Sequence, residues 1–299
     1  MGHKEVTMEL FLAQFVSGLS TGGIYALIVL GMNLIMLVRN VVHHGFSHTC
    51  ILTMAIGWLI YQNTGMPWLA FLCMFAAGIL TTILSEPLFR PLSKRGADLE
   101  TIVLAMGIGI IISELIVQFF NSGQVLSFDD DMKLFPQKFH FGAVTVSVAS
   151  IIALVACVVI AIVLVIFLFK STEGRAMRAM AQNLRVAKML GVPFGKTGVL
   201  GFGIAGLLAA CIGMVCIMCL GYCNEELCDT FATKAVILML FAGQGDIKGG
   251  ILSSLLMGVV EAMALAYLPG RWAEAIFYGF IMVVIIIKPN GLFSRKVRN

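Results

Sequence analysis

The feature that most constrains this chain is a series of long apolar runs separated by short polar connections. A helix needs about 20 apolar residues, rising 1.5 Å each, to cross roughly 30 Å of hydrocarbon. Runs on or near that scale occupy Leu10–Val38, Pro67–Leu84, Leu99–Phe120, Val146–Phe169, Val199–Leu220, Ile251–Leu268 and Trp272–Ile287. Two shorter ones lie at Cys50–Tyr61 and Leu227–Ala242. Only 12% of the 299 residues are charged, against about 25% in soluble domains. In water such a surface would aggregate, so lipid is the solvent that fits it. Hydrocarbon offers unpaired backbone groups no partner, so the spans are expected to be helical. The expected fold class is an all-α polytopic membrane protein. It has eight or nine transmembrane helices, the short ones broken or re-entrant, and one membrane domain over residues 1–299. The first run follows a mixed His3–Lys4–Glu5 lead and is too long for a cleavable signal core, so it reads as a span.

Basic residues orient the spans, because cytoplasmic loops retain an excess of Lys and Arg. With the 170–198 loop inside and every run crossing, fifteen basic residues fall inside and five outside, the five being Lys4, Lys133, Lys138, Lys234 and Arg271. The acidic run Asp129–Asp131 and the group Glu225, Glu226 and Asp229 also fall outside, where they suit a docking surface for a partner. The net charge of +4 comes from short loops between spans and does not point to nucleic acid.

The cytoplasmic segment 171–197 is unusually long and rich in Ala, with Arg and Lys interleaved. Ala176, Ala179, Ala181 and Ala187 favour helix, and Gly191 followed by Pro193 ends it. One short amphipathic helix is expected, lying along the membrane. Its small side chains would let a partner approach closely, and its basic heads suit an acidic groove.

The run Gly174–Asn183, with Ala187 and Gly191, resembles the coupling loop of LivH-type permeases from branched-chain amino acid ABC importers. Further matches follow in chain order. Gly22–Gly31 is similar to that family's first span, Phe46-Ser47-His48 to its N-F-A-H segment and Arg90-Pro91-Leu92 to its R-P-L turn. Ala242–Gly250 resembles its glycine-rich late turn and Lys288–Phe293 its terminal R-P-x-G-L-F. Gly45 stands in place of the family's Asn, Thr49 in place of a Gly, and Gln244 in place of a second Gly.

The resemblance implies an ATP-driven importer permease for hydrophobic or branched-chain amino acids in a bacterial inner membrane. It pairs with a second permease, as a heterodimer, and with two cytoplasmic ATPase subunits. A periplasmic binding protein delivers the solute. The coupling residues it implies are Gly174, Arg175, Ala176, Arg178, Ala179, Ala181, Gln182, Asn183, Ala187 and Gly191. ATP and Mg²⁺ would bind the ATPase and no cofactor would bind this chain. Another small solute (urea, an amide, an aromatic or carboxylic acid) would suit the same architecture. A self-sufficient secondary transporter, with Glu114 and Glu261 carrying protons, is the reading from a different class.

Other constellations are weaker. Gly191–Thr197 imitates a phosphate-binding loop, but that motif needs Gly where Leu190 stands, and Pro193 interrupts it. Cys216, Cys219 and Cys223 share a helical face within an apolar run, where a free Cys is a small hydrophobe. A Cys223–Cys228 disulfide would require an oxidising outer compartment. His44 and His48 would lie one helical turn apart, yet they fall with His43 at a span end and no metal site is assigned; a structural or gating role suits His48 better. Glu114 and Glu261 fall within spans, where an ionised group costs about 2.5–3.5 kcal/mol and needs a partner or a polar cavity. Ser17, Ser20, Thr21 and Asn33 give the first span a polar face, and Gly18, Gly22 and Gly23 suit close packing or a break. Together with His48, Glu114 and Glu261, those four polar residues are the candidate translocation path. No nucleophile–base pair suggests chemistry on a solute.

The charge bias gives a direct expectation. An Ala181→Cys variant in a cysteine-free background should react with an impermeant thiol reagent from the cytoplasmic side alone. Labelling from outside would invert the topology.

Overall fold

The computed structural model describes residues 2–95, 98–120, 124–128, 138–141, 144–288 and 291. Nine helices take up the nine apolar runs: α1 (Gly2–Arg39), α2 (Gly45–Thr64), α3 (Pro67–Arg95), α4 (Asp98–Phe119), α5 (Val148–Lys170), α8 (Phe194–Leu220), α9 (Glu226–Ala242), α10 (Ile247–Tyr267) and α11 (Gly270–Ile287). Helices α6 (Thr172–Gln182) and α7 (Leu184–Met189) form the basic loop. Strand β1 (Leu126–Ser127) pairs antiparallel with β4 (Tyr222–Cys223), and β2 (Lys138–Phe141) with β3 (Val144–Ser147). The all-α membrane class is the one expected. Among the described residues six helices, α1, α3, α4, α5, α8 and α10, are long and apolar enough to cross a bilayer. The acidic run Asp129–Asp131 and the basic residues beyond Gly291 lie outside the described residues.

Helix α1 is the axis of the bundle. Its apolar window is 89% buried, against 28%, 22% and 28% for α3, α4 and α5, which therefore form the exposed perimeter of the chain. In lipid, helices associate by close packing rather than by escape from water, so small residues mark the contacts. A Cβ on Gly22 would lie 2.8 Å from the Ser254 carbonyl oxygen, and one on Gly18 would lie 2.7 Å from Val259 Cα. Gly258 of α10 faces both glycines. Gly23 packs on Cys157 of α5, so all three glycines serve packing and α1 runs unbroken. Gly78 and Gly206 make a second such contact between α3 and α8.

The two short runs behave differently from full spans. Helix α2 extends well beyond Cys50–Tyr61 and starts against the middle of α4, with Gly45 touching Ala105 and Gly109. The segment before β2 and the segment after α8 pair with each other and meet α2. The Trp58 indole donates to the Ser127 carbonyl (3.0 Å), and Cys223 Sγ lies 3.8 Å from the Ile51 carbonyl oxygen. Helix α9, 17 residues long, consequently begins level with the first turns of α2. His48 precedes Thr64 by 16 positions, so that level lies roughly 24 Å below α2's outer end.

Three local expectations change. Residues 174–191 form two helices, because Asn183 is extended (φ −157°, ψ 104°) and closes α6 while its side chain caps α7. Arg90-Pro91-Leu92 is part of α3, which continues to Arg95 with Pro87 and Pro91 inside it. Lys234, counted as an outer loop residue, lies within α9.

The glycine contact between α1 and α10 should tolerate little added volume. Gly22→Leu is expected to cost at least the roughly 1–3 kcal/mol of ordinary overpacking, read as a lower unfolding midpoint in detergent. Gly107→Ala, where an added Cβ meets nothing within 4 Å, should be neutral or slightly stabilising.

Candidate functional site

Two regions gather the polar and charged residues, the basic loop α6–α7 and the interior around α2 and α9. In the loop, Ser171 caps α6 by accepting from the Gly174 amide (2.9 Å), and Asn183 Oδ1 accepts from the Val186 amide (3.1 Å). Two side-chain caps twelve residues apart set the lengths of both helices. Gly191 ends α7 at φ 84°, a left-handed conformation that favours glycine.

Gly174, Met177, Met180 and Ala187 turn inward. Ala176 and Ala179 are half-buried, while Arg175, Ala181, Gln182, Asn183 and Gly191 are exposed. Arg178 donates from Nε to the Leu168 carbonyl (3.1 Å) and lies over the Phe169 ring, so its charge holds α6 to the end of α5. Met189 and Leu190 are 81% and 78% exposed, an apolar tip that the helix pattern did not single out. A cavity of about 250 Å³ lies between the Met180–Leu184 hinge, the last turn of α1 and Ser93.

Behind that cavity sits a buried charge cluster. Arg39 pairs with Glu86, and Arg90 Nη2 donates to the other Glu86 oxygen (2.8 Å). Arg39 also donates to the Phe194 carbonyl (3.2 Å) and stacks on the Phe194 ring, while the Ser93 hydroxyl donates to the Arg39 carbonyl (2.6 Å). One arginine thus joins α1, α3 and the start of α8 where the chain leaves the loop. Glu86 lay beyond the expected end of its span, but its i,i+4 relation to Arg90 was visible in the sequence.

Of the candidate path residues, two are committed to packing. Ser20 donates to the Ser150 carbonyl of α5 (2.7 Å). Asn33 is fully buried, and its Oδ1 accepts from the Gly245 amide (3.1 Å), pinning a turn whose φ of 79° needs glycine. Thr21 is half-buried and donates to the Ser17 carbonyl, and Ser17 is exposed. Glu114 is exposed on α4 beside Ile110 and Leu115, without an ion-pair partner among the described residues.

Glu261 does have a partner. Lys234 Nζ lies 2.5 Å from Glu261 Oε1, and the Tyr25 hydroxyl donates to Glu261 Oε2 (2.9 Å). The group joins α1, α9 and α10 at side-chain exposures of 6% for Lys234 and 11% for Glu261. His48, 2% exposed, places Nε2 3.3 Å from Asp229 Oδ1, and the His44 ring lies 5.5 Å from it. Asp229, expected on the outer surface, is 74% exposed and lies beside the buried His48, because α9 begins level with the first turns of α2. A side chain at Gly45 would press on α4 (3.1 Å from the Ala105 carbonyl oxygen), so the first turn of α2 lies tight against that helix.

Comparison with known proteins places the whole arrangement. The family model described as "Branched-chain amino acid transport system / permease component" matches residues 14–286. The permease protein BraD of a high-affinity branched-chain amino acid transport system in Pseudomonas aeruginosa is 28% identical, over 95% of this chain and 96% of that one. LivH of Escherichia coli K12, also named as a permease of such a system, is 25% identical over the same shares. LsrC of Yersinia enterocolitica, named as an autoinducer 2 import permease, is 23% identical over 94% of this chain and 76% of its own. Among solved structures, PsaBC from Streptococcus pneumoniae in complex with Fab shares the fold at a TM-score of 0.50 and 14% identity, covering 92% of this chain and 91% of that one.

The Lys234–Glu261 pair should respond asymmetrically to mutation. Lys234→Met leaves a buried carboxylate unpaired and is expected to cost about 3–5 kcal/mol, whereas the double variant Lys234→Met/Glu261→Leu should recover most of it. Thermal unfolding of the purified protein in lipid nanodiscs measures both.

Proposed function

Since this multi-pass chain belongs to the family of branched-chain amino acid transport permease components, we propose that it is one transmembrane subunit of an ATP-driven importer in a bacterial inner membrane. It moves hydrophobic or branched-chain amino acids. The chain performs no chemistry on its solute, and ATP is hydrolysed, with Mg²⁺, by a separate ATPase pair. A second permease, as a heterodimer, and a periplasmic binding protein complete the assembly. The observation that carries this reading is the family match over residues 14–286 together with the doubly capped loop α6–α7. Its exposed Ala181, Gln182, Asn183 and Met189 form a small-residue and apolar surface suited to a groove on an ATPase. Gly174, Ala187 and Arg178 serve the same surface from behind, by seating α6 and α7 on the membrane domain.

The translocation path runs past His48 and Asp229, between the two short helices. Exposed Glu114 and Ser17 face the second permease or the path itself, because a bare carboxylate facing lipid is costly. The autoinducer 2 import permease among the relatives keeps a different small solute as the second reading. The self-sufficient carrier is not favoured, because Glu261 is held by Lys234 and Tyr25.

Coupling supplies the test. Ala181→Trp should weaken co-purification of the ATPase and abolish solute-stimulated hydrolysis in proteoliposomes, while insertion and pairing persist. The intrusion should cost about 1–3 kcal/mol, or roughly 5- to 150-fold in affinity. Met66→Trp, exposed at the opposite end of the spans, should change neither. Full ATPase binding by Ala181→Trp would reduce the loop to a topological device.

A further inference from the structure

His44, His48 and Asp229 bring their ligand atoms within 4.8 Å of one another. His44 and His48 are one turn apart at the start of α2, and Asp229 reaches them from the first turn of α9. We propose that these three side chains form a binding site for a divalent first-row transition metal of the zinc class, bridging the two short helices.

The chemistry of the donor set leads there. Two imidazoles and one carboxylate are the N₂O combination that holds zinc and related ions while leaving a position open for water. Among the described residues the titratable neighbours of the two imidazoles are each other, Asp229 and the buried His43 ring, with no Lys or Arg among them. His48 Nε2 and Asp229 Oδ1 meet as a hydrogen-bonded pair, and a cation taking the place of that proton would be held by the same nitrogen and oxygen. The buried charge clusters elsewhere differ, since Glu86 and Glu261 each have their own cation within bonding distance.

The site is also built rather than incidental. His48 is buried against Gly109, which keeps its ring in place. The β1–β4 ladder and the Cys223–Ile51 contact fix the segment before α9, and Asn224 Oδ1 accepts from the Leu227 amide (3.2 Å) to cap the helix. Asp229 is 74% exposed and His44 half-buried, so both can rotate toward the buried imidazole. Metal–ligand bonds of about 2.0–2.2 Å require donors roughly 3.3–3.5 Å apart, and the His48–Asp229 distance of 3.3 Å already meets this.

The inference goes beyond the permease reading, and its test does not depend on the solute. The full transporter complex, without a polyhistidine tag, is placed in nanodiscs and titrated with Zn²⁺ against a chromophoric chelator. One zinc per copy of this chain is expected. X-ray absorption should show a shell of nitrogen and oxygen, two imidazoles included. His44→Gln, His48→Gln and Asp229→Asn should each weaken binding by at least about tenfold. His44→Gln removes no helix-capping bond, so an unchanged melting temperature without metal certifies its fold. Zinc affinity unaltered in both His44→Gln and Asp229→Asn, sulfur in the metal's shell, or no binding to the unmutated complex would each overturn the site. None of those results touches solute uptake or ATPase docking, which are measured separately.

Discussion

The fold depends on one contact, the close approach of α1 and α10 through Gly18, Gly22 and Gly258. In hydrocarbon, burying an apolar side chain between helices brings no gain over leaving it in lipid, so specificity must come from fit and from polar bonds. Three glycines let two backbones touch, and that touch fixes where every other polar group on these helices falls. Tyr25 and Glu261 come opposite each other only in this register, as does Asn33 opposite the Gly245 turn. The central helix thereby becomes the reference against which the shorter elements are positioned.

Those shorter elements are held by charge. An ion pair in a low-dielectric interior contributes little net stability, because desolvation offsets most of the attraction. It is strict about geometry, however, since either partner left alone is strongly penalised. Lys234 therefore sets the depth and rotation of α9 against α1 and α10. Arg39 fixes the far end of α1 in the same way, between α3 and the start of α8. Of the two pairs, the Lys234 pair is the one that seats a helix too short to span on its own.

The class of fold was legible in the sequence, because apolar length is a local, additive signal. The loop caps were partly legible. Gly191 and Pro193 announced an end, but Asn183 read as one more residue of a helix. Its side chain competes with the backbone at short range, and that choice is decided by packing of Met177, Met180 and Ala187. What stayed hidden was depth. Lys234 and Asp229 belong to the short apolar run Leu227–Ala242, and the sequence placed them outside because it could not show how far into the bundle that run starts. Glu86 fell past the expected span end at Leu84, before what read as an Arg90-Pro91-Leu92 turn, whereas α3 continues through both to Arg95. Partners on distant segments leave no periodic trace in either chain stretch.

These placements give the proposed coupling a material route. Docking at α6–α7 would press on Met180 and Asn183, which line the cavity against Arg39 and Asn40. Arg39 is locked to α3 and to Phe194, so the last turn of α1 cannot shift without the start of α8. Asn40 has a positive φ of 56° and begins the five-residue connection, 40–44, that delivers His44 and His48 to the interior. A short connection leaving a rigid anchor transmits displacement, where a long flexible one would absorb it. Contiguity alone does not establish coupling. The start of α2, packed on α4 through Gly45 and joined to α9 through His48 and Asp229, is where a displacement carried along this connection would arrive.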